Sequence, residues 1–341
     1  MTAEALARRT LELVDIASES GSEAEIERYV ADAIPREAAY RADSVLFYPP
    51  PGEGPFVLLV GHFDTVPAQA NLPGRIEDGA VHGLGASDMK GGVAVMVELA
   101  REAPPGAAFL FFGREELPAD QSPLPGFFVA VPEALEASLA VVLEPTDNTI
   151  QAGCLGNLNA RLVFRGRSAH SARPWLGENA IAIAVRGLAP VVALEPEDVE
   201  VDGLVFREVL TVTTIHGGIA TNVVPDRVEA NLNYRYAPTR TAAEGEARLR
   251  ELAGDAEVLS NSPPARVVAR TPLVQRLQEA GSFAIEPKQA WTPVAEFTTR
   301  GVDAVNLGPG ATRYAHARDE QVEIAELART HEALSRFLAT V

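Results

Sequence analysis

The first 150 residues alternate short apolar runs with amphipathic stretches. The apolar runs are typical of strands buried on both faces, and they cover Ser44–Tyr48, Phe56–His62, Ala107–Phe112 and Leu139–Leu143. Between them, Met89–Glu102 has the apolar spacing of a helix. Apolar strands that alternate with helices predict an α/β domain with a doubly wound, mostly parallel sheet.

Two local signals add detail to this region. Ser22 and Glu25 have the spacing of a capping box, which predicts that the second of two N-terminal helices begins at Ser22. The Asp78-Gly79 pair lies in the middle of Arg75–Gly83. A pair of this type is typical of the tight turn of a β-hairpin.

From about Asn157 the apolar residues fall on alternate positions, which is typical of strands with one exposed face. The predicted order of strand, helix, strand, strand, helix, strand is ferredoxin-like. Its elements are Asn159–Gly166, Asn179–Leu188, Val209–Ile215, Arg227–Tyr236, Thr241–Ala253 and Ala256–Ser260. Helix and strand signals resume at Thr271 and end in an amphipathic helix over Val322–Leu338. We therefore expect a domain of residues 157–265 inserted into a larger domain of residues 1–156 and 266–341.

The composition narrows the classes of function. The chain carries 29 Lys and Arg against 47 Asp and Glu, a net charge of −18, which argues against nucleic acid and anionic membranes as partners. No apolar run has the length of a membrane span, and the first residues lack the apolar core of a signal peptide. The single cysteine, Cys154, excludes an internal disulfide and a cysteine-based zinc site. These features predict a cytoplasmic protein.

Acidic and histidine side chains follow several predicted strands. In open α/β sheets, ligands bind at the carboxyl ends of the strands. The residues at or near such ends, with one aspartate at a helix start, are His62, Asp64, Asp88, Glu115, Glu116, Glu144 and His316. Their nitrogen and oxygen donors suit zinc, cobalt or manganese. Each residue alone has an ordinary structural explanation, and only the joint pattern predicts a metal site.

Eight short motifs occur in order along the chain. They are GHFDTVP, GASDMKGG, GREEL, LEPTD, RGRSAHSARPWLGENAI, TNVVPD, NYRYAP and GPGATRYAHARDE. Together they resemble the di-zinc aminoacylase, desuccinylase and carboxypeptidase family over essentially the whole chain, and most of all its desuccinylase branch. The resemblance implies hydrolysis of N-succinyl-LL-2,6-diaminopimelate to succinate and LL-2,6-diaminopimelate, a step toward lysine.

Other functions stay open at this point. Desuccinylase-like sequences usually have an aspartate where Pro293 stands and often an arginine where Glu296 stands. A related deacylase of the acetylornithine type, or a zinc carboxypeptidase, is therefore the alternative. A non-catalytic protein of the same fold is a third possibility, but every expected catalytic position is filled.

The resemblance also implies residue roles. Two zinc ions, with cobalt as a substitute, would bind to His62, Glu144, Glu116 and His316, with Asp88 between them. Glu115 would act as the general base. Asp64 would accept the second ring N–H of His62 and fix its tautomer.

The remaining implied roles concern the substrate and assembly. His170 would donate to the oxyanion, and Asn222 and Arg235 would hold the substrate. Gly308 and Gly310 would let the backbone approach the substrate closely. The family pattern implies a homodimer in which the inserted domains pair edge to edge and His170 serves the metal pair of the other chain.

Overall fold

The computed structural model describes residues 1–341, and its contacts divide the chain into two compact units. The first unit comprises Met1–Ala152, Val268–Glu286 and Pro293–Val341. The second comprises Gly153–Val267 and Pro287–Thr292. None of the helices has both the length and the apolar character needed to cross a membrane.

The chain forms nine α-helices and eighteen strands. The helices are α1 (Ala3–Val14), α2 (Ala24–Ala33), α3 (Gly91–Glu102), α4 (Leu124–Ala130), α5 (Ala180–Val192), α6 (Ala242–Ala253), α7 (Pro272–Gly281), α8 (Val294–Thr298) and α9 (Ile324–Leu338). The strands up to the second unit are β1 (Tyr40–Ala42), β2 (Val45–Tyr48), β3 (Val57–His62), β4 (Arg75–Glu77), β5 (Ala80–His82), β6 (Ala107–Phe112), β7 (Leu139–Val142) and β8 (Ile150–Cys154). The others are β9 (Gly156–Arg165), β10 (Ala169–His170), β11 (Glu197–Val201), β12 (Leu204–Gly217), β13 (Val223–Val224), β14 (Arg227–Tyr236), β15 (Glu257–Ser262), β16 (Ile285–Lys288), β17 (Ala304–Asn306) and β18 (Gln321–Glu323).

An eight-stranded sheet runs through the first unit in the order β1-β2-β6-β3-β7-β17-β8-β16. Its central strands β6, β3, β7 and β17 are parallel to one another. The pairs β1–β2, β2–β6 and β17–β8 are antiparallel. Every residue of β3, β6 and β7 is buried, as expected for strands covered on both faces. The predicted α/β architecture is confirmed, and the carboxyl ends of the four central strands lie side by side.

The two local predictions have different outcomes. The hairpin is confirmed: β4 pairs antiparallel with β5, and Asp78 and Gly79 both have positive φ, 49° and 80°. The capping box at Ser22 is wrong. Helix α2 begins at Ala24 with no side-chain cap. The Ser22 N–H, which Glu25 would accept in a capping box, donates instead to the Glu19 carbonyl in a preceding turn.

The second unit contains an antiparallel sheet in the order β11-β12-β14-β9-β15. The four predicted strands stand in the order expected for the ferredoxin-like motif, and β11 is an additional edge strand. Helix α6 has the capping box of Thr241 and Glu244. Leu188 and Val191 of α5 and Leu249 of α6 pack into the core formed by the strands, so both helices cover the sheet.

Candidate metal centre

Strand register places the first candidate ligands next to each other. His62 is the last residue of β3, and Glu144 lies two residues beyond β7. Val60 is paired with Val142 in the parallel register of these strands. His62 and Glu144, each two residues further on, therefore lie at the same level of the sheet edge. The Glu115–Glu116 pair follows β6, the other neighbour of β3.

The Asp88 carboxylate lies between two histidines. Its Oδ1 is 3.2 Å from Nε2 of His62, and its Oδ2 is 3.5 Å from Nε2 of His316. Each histidine also has a second carboxylate, since Glu144 Oε1 is 3.9 Å from His62 Nε2 and Glu116 Oε1 is 2.8 Å from His316 Nε2. One aspartate is therefore shared by two histidine–glutamate pairs.

These side chains fit divalent cations. His62, Asp88 and Glu144 form one group of possible ligands, and Asp88, Glu116 and His316 form another, each with its ligand atoms within 4.8 Å of one another. Imidazole nitrogens and carboxylate oxygens are the donors used by catalytic zinc and similar ions. Both groups contain Asp88, so the donor set suits a pair of cations joined by one carboxylate.

The electrostatics of the cluster favour positive charge. Burial opposes the charged form of His62, but Asp64 and Asp88 raise its pKa well above the usual value. The hydrogen bond to Glu116 raises the pKa of His316 to about 9. Burial raises the pKa of Glu115 well above the usual value, and the charges of neighbouring carboxylates add to the effect. Divalent cations satisfy the same demand for positive charge.

Asp64 connects two parts of the cluster. Nδ1 of His62 lies 3.1 Å from the Asp64 carbonyl oxygen and 3.4 Å from Oδ1, so Nε2 faces the other ligands. The Asp64 carboxylate accepts the backbone N–H groups of Glu115 and Glu116 at 3.1 and 3.2 Å and the Ser20 hydroxyl at 2.6 Å. Burial opposes ionisation of Asp64, but the interactions with His62 and Ser20 lower its pKa. A single buried carboxylate thus positions His62 and the glutamate pair.

Three supporting residues were not predicted from the sequence. Ser20 donates to Asp64 as described. Lys90, 1% exposed, donates from Nζ to the Ile16 carbonyl at 2.8 Å, and burial lowers its pKa to about 7. Glu320, 2% exposed, accepts the backbone N–H of Asp88. Lys90 and Glu320 stand inside motifs, but motif letters do not reveal which backbone groups a side chain contacts.

The two predicted glycines lie against the segments that carry ligands. A Cβ at Gly308 would lie 2.3 Å from the Leu143 carbonyl oxygen, next to Glu144. Gly310 has φ of +84°, and its Cβ would lie 2.5 Å from Oγ of Ser87, next to Asp88. Close packing against these segments accounts for both glycines, and their contact with substrate stays a prediction.

Two predicted residues of the second unit lie together. Strands β10 and β13 pair antiparallel with His170 opposite Val223, and the Ser171 N–H donates to the Asn222 carbonyl at 2.9 Å. Nδ1 of His170 accepts the Ala172 N–H at 3.1 Å. Because a backbone N–H can only donate, Nδ1 carries no proton, and Nε2 of this exposed ring is the donor.

Arg235 lies elsewhere in the second unit, on β14. Its Nε donates to Oδ1 of Asn233 at 2.9 Å. Burial lowers its pKa, although an arginine remains charged at neutral pH. The side chain is half-buried and retains further N–H groups of the kind that bind a carboxylate.

Comparison with known proteins gives consistent results. The model of peptidase family M20/M25/M40 matches residues 58–340. The chain is 35% identical over 350 aligned positions to the succinyl-diaminopimelate desuccinylase of Corynebacterium glutamicum, with 97% of this chain and 95% of that protein covered. It is 36% identical over 341 positions, 96% of each chain, to a Mycobacterium tuberculosis protein that carries the same name provisionally.

A solved structure extends the similarity to the fold. The M20 family metallo-carboxypeptidase of Sulfolobus solfataricus superimposes with a TM-score of 0.78 and covers 98% of both chains. The sequence identity is 16%, so this similarity concerns the fold alone.

Proposed function

The chain belongs to the peptidase family M20/M25/M40 and is a metal-dependent amidohydrolase, and we propose that its substrate is N-succinyl-LL-2,6-diaminopimelate. Water would cleave the amide bond to give succinate and LL-2,6-diaminopimelate. The full-length similarity to the desuccinylase of Corynebacterium glutamicum supports this choice of substrate.

The observation that carries the chemistry is the shared Asp88 carboxylate. We propose that His62 and Glu144 would hold one zinc ion, that Glu116 and His316 would hold the second, and that Asp88 would contribute to both sites. The distances between these donor atoms support the assignment. When bound, the two cations would acidify a water molecule and polarise the amide carbonyl.

Glu115 is proposed as the general base. It lies with His62 and Glu116 in a group of donor atoms within 4.8 Å, while its backbone N–H is held by Asp64. Its carboxylate accepts a proton from the water whose oxygen attacks the acyl carbon. The C–N bond then breaks, and Glu115 returns the proton to the departing amine nitrogen.

The second unit is proposed to complete the site from the other subunit of a homodimer. The partner subunit's His170 would donate from Nε2 to the oxygen that gains charge, and Arg235 would bind a substrate carboxylate through parallel N–H bonds. The hydrogen bond from the Ala172 N–H supports the donor role, because it leaves the proton of a neutral His170 on Nε2.

Two exposed features of the second unit support dimerisation through it. Ile181, Val185 and Val192 of α5 are 44%, 63% and 72% exposed, although they are apolar. Strand β11 pairs with only the first five residues of β12, Leu204–Glu208, so the remainder of that edge offers free backbone groups to another strand. A second copy of the chain can cover both features by two-fold pairing.

Subunit complementation tests this assembly. A His170→Ala chain and a Glu115→Gln chain, each inactive alone, should recover about a quarter of wild-type activity when mixed equally and exchanged at random. Exchange is verified by co-purification of differently tagged chains. No recovery despite exchange would mean that His170 acts in its own chain or has no role.

A kinetic panel tests the substrate. We expect the zinc-loaded protein to have its highest kcat/KM with N-succinyl-LL-2,6-diaminopimelate among that compound, acetylornithine and simple dipeptides. The second candidate, a deacylase or carboxypeptidase of the same family, is favoured by the 293–296 segment. There Pro293 occupies the N-cap position of α8 without a capping hydrogen bond, and Glu296 pairs with Arg300 at 2.6 Å. A higher kcat/KM for acetylornithine or a dipeptide would establish that candidate instead.

A further inference from the structure

Asp88 lies in an irregular turn rather than in a regular helix. The turn covers Ala86–Lys90, and Asp88 itself has φ of −119° and ψ of 94°, outside the helical region. Gly85 precedes the turn with φ of 76°. Backbone N–H groups in such a buried turn need acceptors from elsewhere in the chain, because no regular ladder provides them.

Glu320 provides three of these acceptor contacts. Its Oε2 accepts the Gly85 N–H at 2.8 Å, and its Oε1 accepts the N–H groups of Ser87 and Asp88 at 3.1 and 2.9 Å. Glu320 is 2% exposed, so water does not compete for these donors. Hydrogen bonds from buried backbone donors to a carboxylate are among the strong ones.

The backbone of Glu320 is anchored as well. Its carbonyl accepts the Gly83 N–H at 3.0 Å, and the next residue, Gln321, pairs with His82 in the β18–β5 ladder. His316 lies four residues before Glu320 on the same segment. Glu320 therefore joins the turn that carries Asp88 to the segment that carries His316.

We propose that Glu320 is a positioning residue for the metal centre, which sets the distance between Asp88 and His316 and so determines the affinity for the second cation. This inference rests on the metal ligands assigned under the proposed function. The first cation depends less on Glu320, because His62 and Glu144 are fixed by the ends of β3 and β7. The second takes two of its three proposed ligands, Asp88 and His316, from the segments that Glu320 joins.

The test is metal binding to the whole, metal-free protein. Zn²⁺ is titrated in competition with a chelator, and bound metal is counted by elemental analysis. Glu320→Gln keeps the size of the side chain but turns one acceptor oxygen into an N–H donor that faces backbone N–H groups. We expect the affinity for the second Zn²⁺ to fall by about 10–100-fold, as for other residues that orient ligands, with the first Zn²⁺ affected less than tenfold.

Two control variants make the result specific. His316→Ala identifies which binding step belongs to the second cation. Glu208→Gln is the matched control, because Glu208 is also a buried carboxylate, 4% exposed, that accepts a backbone N–H, from Ala237 at 2.9 Å in the second unit. It should lower thermal stability without changing either Zn²⁺ affinity.

A purely structural role gives a different result. In that case Glu320→Gln would lower the Tm of the metal-free protein, but Zn²⁺ would raise the Tm by as much as in the wild type. Unchanged affinity for the second Zn²⁺ in Glu320→Gln would overturn the proposal, and so would equal weakening of both steps. If Glu320→Gln fails to fold, Glu320→Asp, which keeps both oxygens on a shorter chain, is measured in the same way.

The same titrations separate this inference from the proposed function. If wild-type protein binds fewer than two Zn²⁺, or if His62→Ala and His316→Ala bind as wild type does, the assigned ligands are wrong. If those variants lose metal and Glu320→Gln does not, only the positioning role is wrong.

Discussion

The two halves of the ligand cluster differ in how they are held. In the strand-end half, the side chains of His62 and Glu144 are 1% and 8% exposed, and each residue leaves a central strand of the sheet. In the loop half, the side chains of His316 and Glu116 are 51% and 10% exposed, and His316 lies on a segment without regular structure. Burial and the contact with Asp64 hold the first half. In the second half, backbone N–H groups that donate to Asp64 and Glu320 hold the segments.

The largest effect is expected at the Glu115–Glu116 pair, where one residue is the proposed base and the other a proposed metal ligand. Glu115→Gln should lower kcat by about 10²–10⁴-fold, because it removes the proton acceptor, while the protein still binds two Zn²⁺. The matched variant Glu116→Gln, one residue away, should lose the second Zn²⁺ instead. Kinetics together with elemental analysis distinguish the two, and near-normal turnover by Glu115→Gln would contradict the assigned base.

Because the two halves are held differently, replacing His62 and replacing His316 should lower the stability of the metal-free protein by different amounts. His62→Ala should lower the free energy of unfolding of the metal-free protein by about 3–5 kcal/mol, because it leaves buried carboxylates without their partner. His316→Ala should lower it by less than about 1 kcal/mol, because that side chain is half exposed. Denaturant titration of both variants measures this. Equal destabilisation would remove the distinction between the halves.

Metal removal should depend on pH. Histidine must be neutral to bind zinc, so protons compete with the metal, and the affinity should fall about tenfold per pH unit for each proton displaced. At a free Zn²⁺ concentration that is set equal at both pH values, the enzyme should therefore lose more activity at pH 6.5 than at pH 7.5, and added Zn²⁺ should restore activity. Inactivation that Zn²⁺ does not reverse would point to loss of the fold instead.

The smallest effect is expected at His331, which makes the stability of the metal-free fold depend on pH apart from any loss of metal. His331 on α9 is 5% exposed, and burial lowers its pKa below the usual value. As the pH falls below about 6.5, His331 therefore takes up a proton in the unfolded chain before it does so in the folded chain. The free energy of unfolding falls over this range, until the pH reaches the lower pKa of the folded state. This group contributes at most about 1.4 kcal/mol per pH unit.

The variant His331→Gln should show a flatter decline of stability between pH 7 and 5 in metal-free protein. At pH 8 its pH dependence should match that of the wild type, because the ring is neutral in both states there. An unchanged slope would assign the acid sensitivity to other groups.

Residue order alone predicts those elements whose apolar pattern is local. The strands Ala107–Phe112 and Arg227–Tyr236 have the predicted bounds. The first is buried on both faces and the second on one face, and these two kinds of burial require continuous and alternating apolar residues, respectively. Helix α6 begins directly after Thr241, within one residue of the predicted start, because the capping box of Thr241 and Glu244 is a local signal. The polar strand β11, Glu197–Val201, was missed, since an edge strand with charged residues has little apolar signal.

The sequence also predicted every proposed ligand of the cluster. Most of these residues follow predicted strands, and the carboxyl ends of parallel strands meet at one edge of the sheet. That Asp88 lies between His62 and His316, with one oxygen toward each, becomes visible only in the folded chain. The contacts of Ser20 and Glu320 likewise join residues 44 or more positions apart. Such contacts depend on where backbone N–H groups and side-chain oxygens meet after folding, and no local pattern of residues encodes those positions.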